Sequence, residues 1–148
     1  MSRNLLREAE FLFRVAAENS VEKLRAMLKG CDPQRSLPIF RRLNEIYDGE
    51  NLGVLLSLAI RCWVFGLDDE AASVLKQAEG IDPEEHRVLR VALFFAATFG
   101  AVDEAKTAAQ RLLDLYPEDQ WAATLMDRLE SEGALKGVRM PPLGTEWD

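Results

Sequence analysis

The residues of this chain that could carry out nucleophilic or acid–base chemistry are few and scattered. His86 is the only histidine, and no serine or cysteine stands where it could form a nucleophile–base pair with it. Cys31 and Cys62 form no CxxC pair and lack the second pair of ligands that a metal site needs. The sequence also contains no glycine-rich phosphate loop and no HExxH motif. It therefore predicts a protein that is not an enzyme and has no cofactor and no metal.

Adjacent carboxylates, which could do acid–base work, occur at Asp68-Asp69 and at Asp103-Glu104. Both pairs closely follow a glycine and precede an apolar run of helical period. Negative charge at the start of a helix is stabilised by the helix dipole. We interpret these carboxylates as helix-start residues and not as catalytic groups.

The charge of the chain argues against nucleic acid as a partner. The 148 residues carry a net charge of −7, with +2 in residues 1–48 and −9 in residues 49–148. Affinity for a phosphate backbone comes from cationic side chains, which an acidic surface does not provide. The two cysteines suit a reducing compartment, and the longest uncharged run, 91–102, is too short to span a bilayer. No signal peptide is visible at the start, and we expect a cytoplasmic protein without membrane insertion.

Apolar periodicity predicts an all-α chain of about eight helices. The predicted ranges are 4–17, 21–29, 36–48, 52–65, 68–80, 84–99, 102–115 and 118–132. In the first of these helices Leu5, Leu6, Ala9, Leu12, Phe13 and Ala16 make one apolar stripe, while Phe11 and Val15 lie off it. A helix that is apolar on two sides is either buried on two sides or pairs with another chain. For residues 4–17 the sequence therefore leaves two alternatives open, which are burial within the monomer and pairing in a homodimer.

The predicted fifth and seventh helices belong to a repeat of 34 residues. FGLDDEAASVLKQAEGIDP, which begins at Phe65, returns as FGAVDEAKTAAQRLLDLYP from Phe99 without an insertion. A fixed period of this length, with small and helix-breaking residues in register, is typical of stacked helix hairpins.

Residues 52–119 resemble two tetratricopeptide repeats (TPRs), 52–85 and 86–119. Within the family's 34-residue unit, Gly66 and Gly100 stand at the fifteenth place, Ala71 and Ala105 at the twentieth, and Pro83 and Pro117 at the thirty-second. Leu93 departs from the small residue usual at the eighth place. The resemblance implies a right-handed superhelix of antiparallel hairpins, an α–α solenoid.

The same resemblance suggests how the chain is divided. We expect one TPR-like domain over residues 1–132, in which 1–50 form N-terminal helices and a degenerate repeat and 118–132 form a capping helix. Residues 133–148 lose the helical period and contain Pro141-Pro142, which predicts an extended tail.

In the family, set positions on the first helix of each hairpin face a ligand in a concave groove. The side chains that the resemblance places at such a partner-binding groove are Leu56, Ile60, Trp63, Val64, Arg87, Arg90, Phe94, Trp121 and Arg128. Apolar anchors beside arginines suit a peptide or helical segment of another protein that carries carboxylates.

Three roles stay open at this stage. The first is an adaptor or scaffold that binds a partner protein in the groove. The second is a chaperone, since the small acidic chaperones of bacterial type III secretion are similar in size, charge and architecture. The third is a structural subunit that assembles with itself through its first helix.

Overall fold

A computed structural model describes residues 3–141 of the chain and shows eight α-helices in that range. No helix between residues 3 and 141 combines the length and the hydropathy needed to cross a lipid bilayer. The helices are α1 (Arg3–Ala17), α2 (Val21–Leu28), α3 (Pro33–Ile46), α4 (Leu52–Val64), α5 (Asp68–Ile81), α6 (His86–Thr98), α7 (Val102–Leu115) and α8 (Gln120–Glu132). The predicted all-α fold class is confirmed.

The two repeated glycines end α4 and α6 in the same way. Gly66 has φ of +75° and Gly100 has φ of +77°, a left-handed conformation that costs glycine little because it has no Cβ. The N–H of Leu67 bonds to the carbonyl of Cys62 at 2.8 Å, and the N–H of Ala101 bonds to that of Ala96 at 3.0 Å. This six-residue closure is the Schellman motif, so the glycines of the repeat set the turns between helices.

The helix starts recur with the same period of 34 residues. Asn51, Glu85 and Asp119 are the N-caps of α4, α6 and α8. In each case a side-chain oxygen accepts a hydrogen bond from the backbone N–H three residues further on, at 3.0, 3.2 and 3.0 Å. These bonds satisfy backbone donors that the helix itself leaves without a partner. The period therefore fixes both ends of the first helix in each repeat.

The two repeated prolines lie in turns ahead of the helices and not within their first turn. In the second of these turns the N–H of Asp119 bonds to the carbonyl of Tyr116 at 3.1 Å, with Pro117 at the second position. Pro83 occupies the same position before Glu85. Proline suits this place because its fixed φ matches that of a β-turn.

Helix α3 begins three residues earlier than the sequence prediction of 36–48. Asp32 caps it, since its Oδ1 accepts a hydrogen bond from the N–H of Arg35 at 2.9 Å, and Pro33 takes the first helical position. Proline is well tolerated there because that N–H needs no helical partner. With this earlier start, Pro38 lies inside the helix and not in its first turn.

The described helices are divided into two compact units, one ending at Ala71 and one beginning at Ala72. In the first unit α3 packs against α1, α2 and α4. Arg61 of α4 connects this helix to α3, because its Nε donates to Ser36 Oγ at 3.0 Å and its guanidinium lies 4.1 Å from the ring centroid of Phe40. The prediction of a single domain over residues 1–132 stays a prediction.

In the second unit α7 packs against both α6 and α8. Small residues lie at these crossings, and Ala105, Ala109 and Ala122 have no exposed surface. Their short side chains let the helix axes approach closely. The core that they share consists of Leu89, Leu93, Ala97, Ala105, Ala109, Leu112, Ala122, Leu125 and Leu129.

Helix α1 buries the residues that lie off its apolar stripe. Val15 is buried and Phe11 is half-buried, with the guanidinium of Arg35 at 5.0 Å from the Phe11 ring. The stripe itself is exposed, and the exposed fractions of Leu5, Leu6, Leu12 and Phe13 are 61%, 49%, 50% and 76%. The structure therefore does not show burial of this stripe within the monomer, which was one of the two alternatives.

Candidate functional site

Three of the nine groove candidates are core residues in this structure. Leu56, Ile60 and Phe94 are 3%, 8% and 0% exposed. A side chain without accessible surface cannot contact a partner unless the helices around it move. These three side chains, which were expected as apolar anchors for a ligand, lie in the hydrophobic core. Their role in binding stays a prediction.

The two other candidates of α4 lie at its C-terminal end. Trp63 is half-buried and Val64 is half-exposed. Both precede the Gly66 turn in the first unit. They contribute accessible apolar surface at this end of α4.

The two arginine candidates of α6 bind carboxylates of the same unit. The Arg87 Nε lies 2.9 Å from Oε1 of Glu85, the residue that caps its own helix. The Arg90 Nε donates to Oδ2 of Asp119 at 2.7 Å. Each guanidinium has further N–H donors, but its charge is already balanced by a carboxylate.

Asp119 is the centre of a polar cluster that sequence reasoning missed. Its side chain has no exposed surface, and His86 Nε2 lies 2.6 Å from the same Oδ2 that Arg90 contacts. An ionised carboxylate can only accept hydrogen bonds, so Nε2 of His86 carries a proton. The other oxygen, Oδ1, accepts from the N–H of Ala122 and caps α8. The bonds from His86 and Arg90 join α6 to the start of α8.

The imidazole of His86 is also held from its face. The ring of Tyr116 stacks on it, with the ring centroids 4.1 Å apart and the planes inclined by 7°. The Tyr116 hydroxyl donates to the carbonyl of Glu84 at 2.9 Å. The side chains of His86 and Tyr116 both take part in contacts that hold this cluster together.

Burial alone would raise the pKa of the Asp119 carboxyl, but three hydrogen bonds outweigh it. The donors are the Arg90 guanidinium, the Ala122 backbone N–H and the His86 ring, and the charge of Arg90 acts in the same direction. Together they lower the pKa of Asp119 from 3.8 to about 2. The carboxylate is thus ionised at neutral pH and balances the positive charge beside it.

The two candidates of α8 hold the segment that follows this helix. The Trp121 Nε1 donates to the carbonyl of Arg139 at 3.2 Å, and the Arg128 Nη2 donates to that of Lys136 at 3.1 Å. Leu135 and Val138 of the same segment pack against the core of the second unit. We call residues 133–141 the C-terminal strap; the rest of the expected tail, 142–148, lies outside the described residues.

The distance between the two donors on α8 is similar to the distance between the two carbonyls of the strap that they bind. Trp121 and Arg128 are seven residues apart, which places them on one face of α8 at an axial distance of roughly 10 Å. The two carbonyls are three residues apart in the strap, and three residues of open chain span at most about 10 Å. The strap therefore runs antiparallel to α8 and presents its carbonyls to two side-chain donors.

Both cysteines are free thiols in the described part of the chain. No group of three or more His, Cys, Asp or Glu side chains within residues 3–141 is arranged to hold a metal ion. Cys62 is buried in α4, and Cys31 is half-buried next to the cap of α3. Burial raises the pKa of Cys62 to about 12, with the nearby Glu70 adding to the shift.

A comparison with known structures identifies the fold. No protein-family model matches the sequence, and no curated protein sequence matches it. The Arabidopsis OM64 TPR domain superposes on the chain with a TM-score of 0.63 at 17% sequence identity, covering 83% of this chain and 97% of that one. The chain thus has a TPR-like fold, as the repeat predicted, and this identity level establishes the fold alone.

Proposed function

We propose that the chain is a protein-binding module whose surface on α8 takes an extended segment of a partner protein. The observation that carries this proposal is the pair of hydrogen bonds from Trp121 and Arg128 to carbonyls of the strap. Both donors stand at positions that the TPR resemblance assigns to a ligand, and both bind main-chain carbonyls of an extended segment, as they would in a bound peptide.

The chemistry of these contacts is not restricted to the strap sequence. Both donors bind main-chain carbonyls, which every peptide has, so another extended segment can make the same two bonds. The indole ring adds an apolar surface, and indole and guanidinium groups are the side chains most enriched at binding hot spots. Specificity would come from the side chains that flank them.

A partner segment would have to displace the strap or share the surface with it. The strap is held by two hydrogen bonds to solvent-accessible donors and by partly buried apolar residues. A net contribution of about 1 kcal/mol for each bond is small compared with the free energy of micromolar binding. The surface is therefore accessible to a competing peptide of ordinary affinity.

A selection from a random peptide library against the full-length chain tests the proposal. Selected peptides should lose about fivefold or more in affinity with Trp121→Ala and with Arg128→Ala, because each change removes a donor that contributes about 1 kcal/mol. A synthetic peptide with the sequence of residues 133–141 should compete with them. Gln110→Ala, an exposed change on α7, is the matched control and should leave affinity unchanged.

The selection also has a clear contrary result. Peptides that bind equally well to wild type, Trp121→Ala and Arg128→Ala would place recognition elsewhere on the chain. If the 133–141 peptide failed to compete, the selected peptides would bind at a different place from the strap.

A further inference from the structure

The second unit contains a cavity that uses none of the groove candidates. It has a volume of about 370 Å³ and is lined by Glu79, Pro83, Val88, Leu89, Ala92, Asp103, Glu104, Thr107, Ala108 and Arg111. Its volume lies within the range of roughly 300–1,000 Å³ that is usual for ligand sites. The lining comes from the end of α5, the turn that follows it, α6 and α7.

The floor and the rim of this cavity differ in chemistry. Val88 and Leu89 form an apolar floor, and both are almost fully buried. The rim carries three exposed carboxylates, Glu79, Asp103 and Glu104, against the single cation of Arg111. No ion pair within residues 3–141 engages these three carboxylates. The cavity therefore suits an apolar side chain next to a positive charge.

Helix α1 carries that combination twice. Leu5-Leu6-Arg7 returns seven residues later as Leu12-Phe13-Arg14, so the two triplets lie on the same face of the helix. The four apolar residues are the exposed stripe described above, and both arginines are exposed as well. An exposed apolar stripe on a helix marks an interaction surface more often than chance exposure does.

We propose that the stripe of α1 docks in the α6–α7 cavity of a second copy of this chain. One contact then covers the exposed apolar stripe and fills the cavity, and it pairs the arginines of α1 with the acidic rim. Leu12-Phe13-Arg14 is the stronger of the two triplets, because Phe13 has the largest exposed fraction of the stripe and the largest apolar side chain. The proposal does not depend on the α8 surface proposed above.

Charge over the whole sequence favours this occupant. Residues 1–48 carry a net charge of +2 and residues 49–148 a net charge of −9. Opposite charges on the two contacting parts attract each other and accelerate encounter. The contact joins two different surfaces of the chain. Each copy can therefore dock its stripe on one neighbour and receive the stripe of another neighbour in its cavity. Such an assembly grows with concentration unless it closes into a ring.

Light scattering coupled to size exclusion tests the proposal with two single variants. Wild type should exceed the monomer mass of 16.7 kDa increasingly as concentration rises. Phe13→Asp removes the anchor, and Thr107→Arg fills the cavity and reduces the net negative charge of its rim. Each should weaken association at least about tenfold, because each removes a central contact. Asn4→Asp and Gln110→Arg place the same charges elsewhere on α1 and α7, and both should assemble like wild type.

Mixing the two variants distinguishes this contact from pairing of α1 with α1. Phe13→Asp retains an intact cavity and Thr107→Arg an intact stripe, so an equimolar mixture should form a dimer with one of each. Self-pairing of α1 would leave Thr107→Arg associated on its own, and that result would overturn the proposal. A wild type that stays monomeric at all concentrations would also overturn it.

Two additional measurements keep the test decisive. Circular dichroism should show unchanged helix content, and Leu12→Asp should repeat the effect if Phe13→Asp folds poorly. Added salt should weaken the wild-type assembly, since exposed charge pairs are screened. Assembly that is unaffected by Thr107→Arg, Leu12→Asp and Phe13→Asp would place the contact elsewhere and contradict the proposal.

Discussion

His86 and Asp119 are thirty-three residues apart in the sequence, and Nε2 of the first lies 2.6 Å from Oδ2 of the second. Arg90 Nε contacts the same oxygen at 2.7 Å. The only histidine of the chain thus contributes to a structural contact between α6 and the start of α8. A buried carboxylate with two cationic or polar donors is strongly dependent on all of its partners.

Asp119→Ala should therefore be among the most destabilising single changes in the second unit. It removes the cap of α8 and leaves Arg90 without its carboxylate, and we expect a loss of about 3 kcal/mol in the free energy of unfolding. Asp119→Asn should cost less, because asparagine caps a helix as well as aspartate does. Urea denaturation measures both, and the exposed neighbour Glu118→Ala should change stability by less than about 0.5 kcal/mol. Equal losses for the alanine and asparagine variants would show that the cap contributes nothing.

The lowered pKa of Asp119 predicts a loss of stability in acid. The pKa is about 2 in the folded chain and 3.8 in the reference state, so the folded state favours the ionised form. The stabilisation is fully present above the unfolded pKa and is lost as pH falls from about 5 towards 2. It amounts to about 2 kcal/mol at neutral pH. Urea titrations at several pH values check this, and Asp119→Asn should lack this part of the acid dependence. The same acid dependence in wild type and Asp119→Asn would contradict the assignment.

Phe94→Ala tests the distinction between core and surface among the groove candidates. Phe94 has no exposed surface, so truncation should leave a cavity and cost about 3–5 kcal/mol in the free energy of unfolding. Val64→Ala removes a half-exposed side chain and should cost less than about 0.5 kcal/mol. Thermal denaturation followed by circular dichroism compares the two. A Phe94→Ala variant as stable as wild type would contradict the burial of this side chain.

The two thiols should differ in reactivity. Cys62 is buried with a pKa raised to about 12, while the pKa of half-buried Cys31 is raised to a smaller degree, chiefly by burial. Because the thiolate is the reactive form, Cys31 should react first with a disulfide reagent. Cys62 should react only when the chain unfolds. Absorbance of the released thiol measures both rates, and Cys31→Ser should abolish the faster one. Two equal rates in the folded chain would contradict the burial of Cys62.

Local features of the sequence predicted the frame well. The glycines at 66 and 100 act through hydrogen bonds within a few residues, so their spacing alone indicates the hairpins. The caps at 51, 85 and 119 act just as locally but were not predicted. The N-cap at 119 could have been found from the same period of 34 residues. Its bonds to His86 and Arg90 could not, because they depend on how α6 packs beside the turn before α8.

The candidate site was less predictable, since periodicity tells which residues are apolar but not which face is covered. On α1 the stripe of Leu5, Leu6, Leu12 and Phe13 was the strongest apolar pattern, yet Val15 is the buried residue. The TPR resemblance assigns Phe94 to a groove, and the folded chain leaves that side chain no exposed surface. Trp121 and Arg128 were predicted from the TPR resemblance, and their contact with the strap emerged only from the folded chain.

The indole N–H resonance of Trp121 gives the most direct test of the proposed binding function. The chain has three tryptophans, so its nitrogen–proton spectrum contains three indole signals, and Trp121→Phe assigns the relevant one. A peptide that occupies the α8 surface should shift this signal in a saturable way, because it replaces the bond to the Arg139 carbonyl. A signal that stays in place while the peptide saturates the chain would contradict the account.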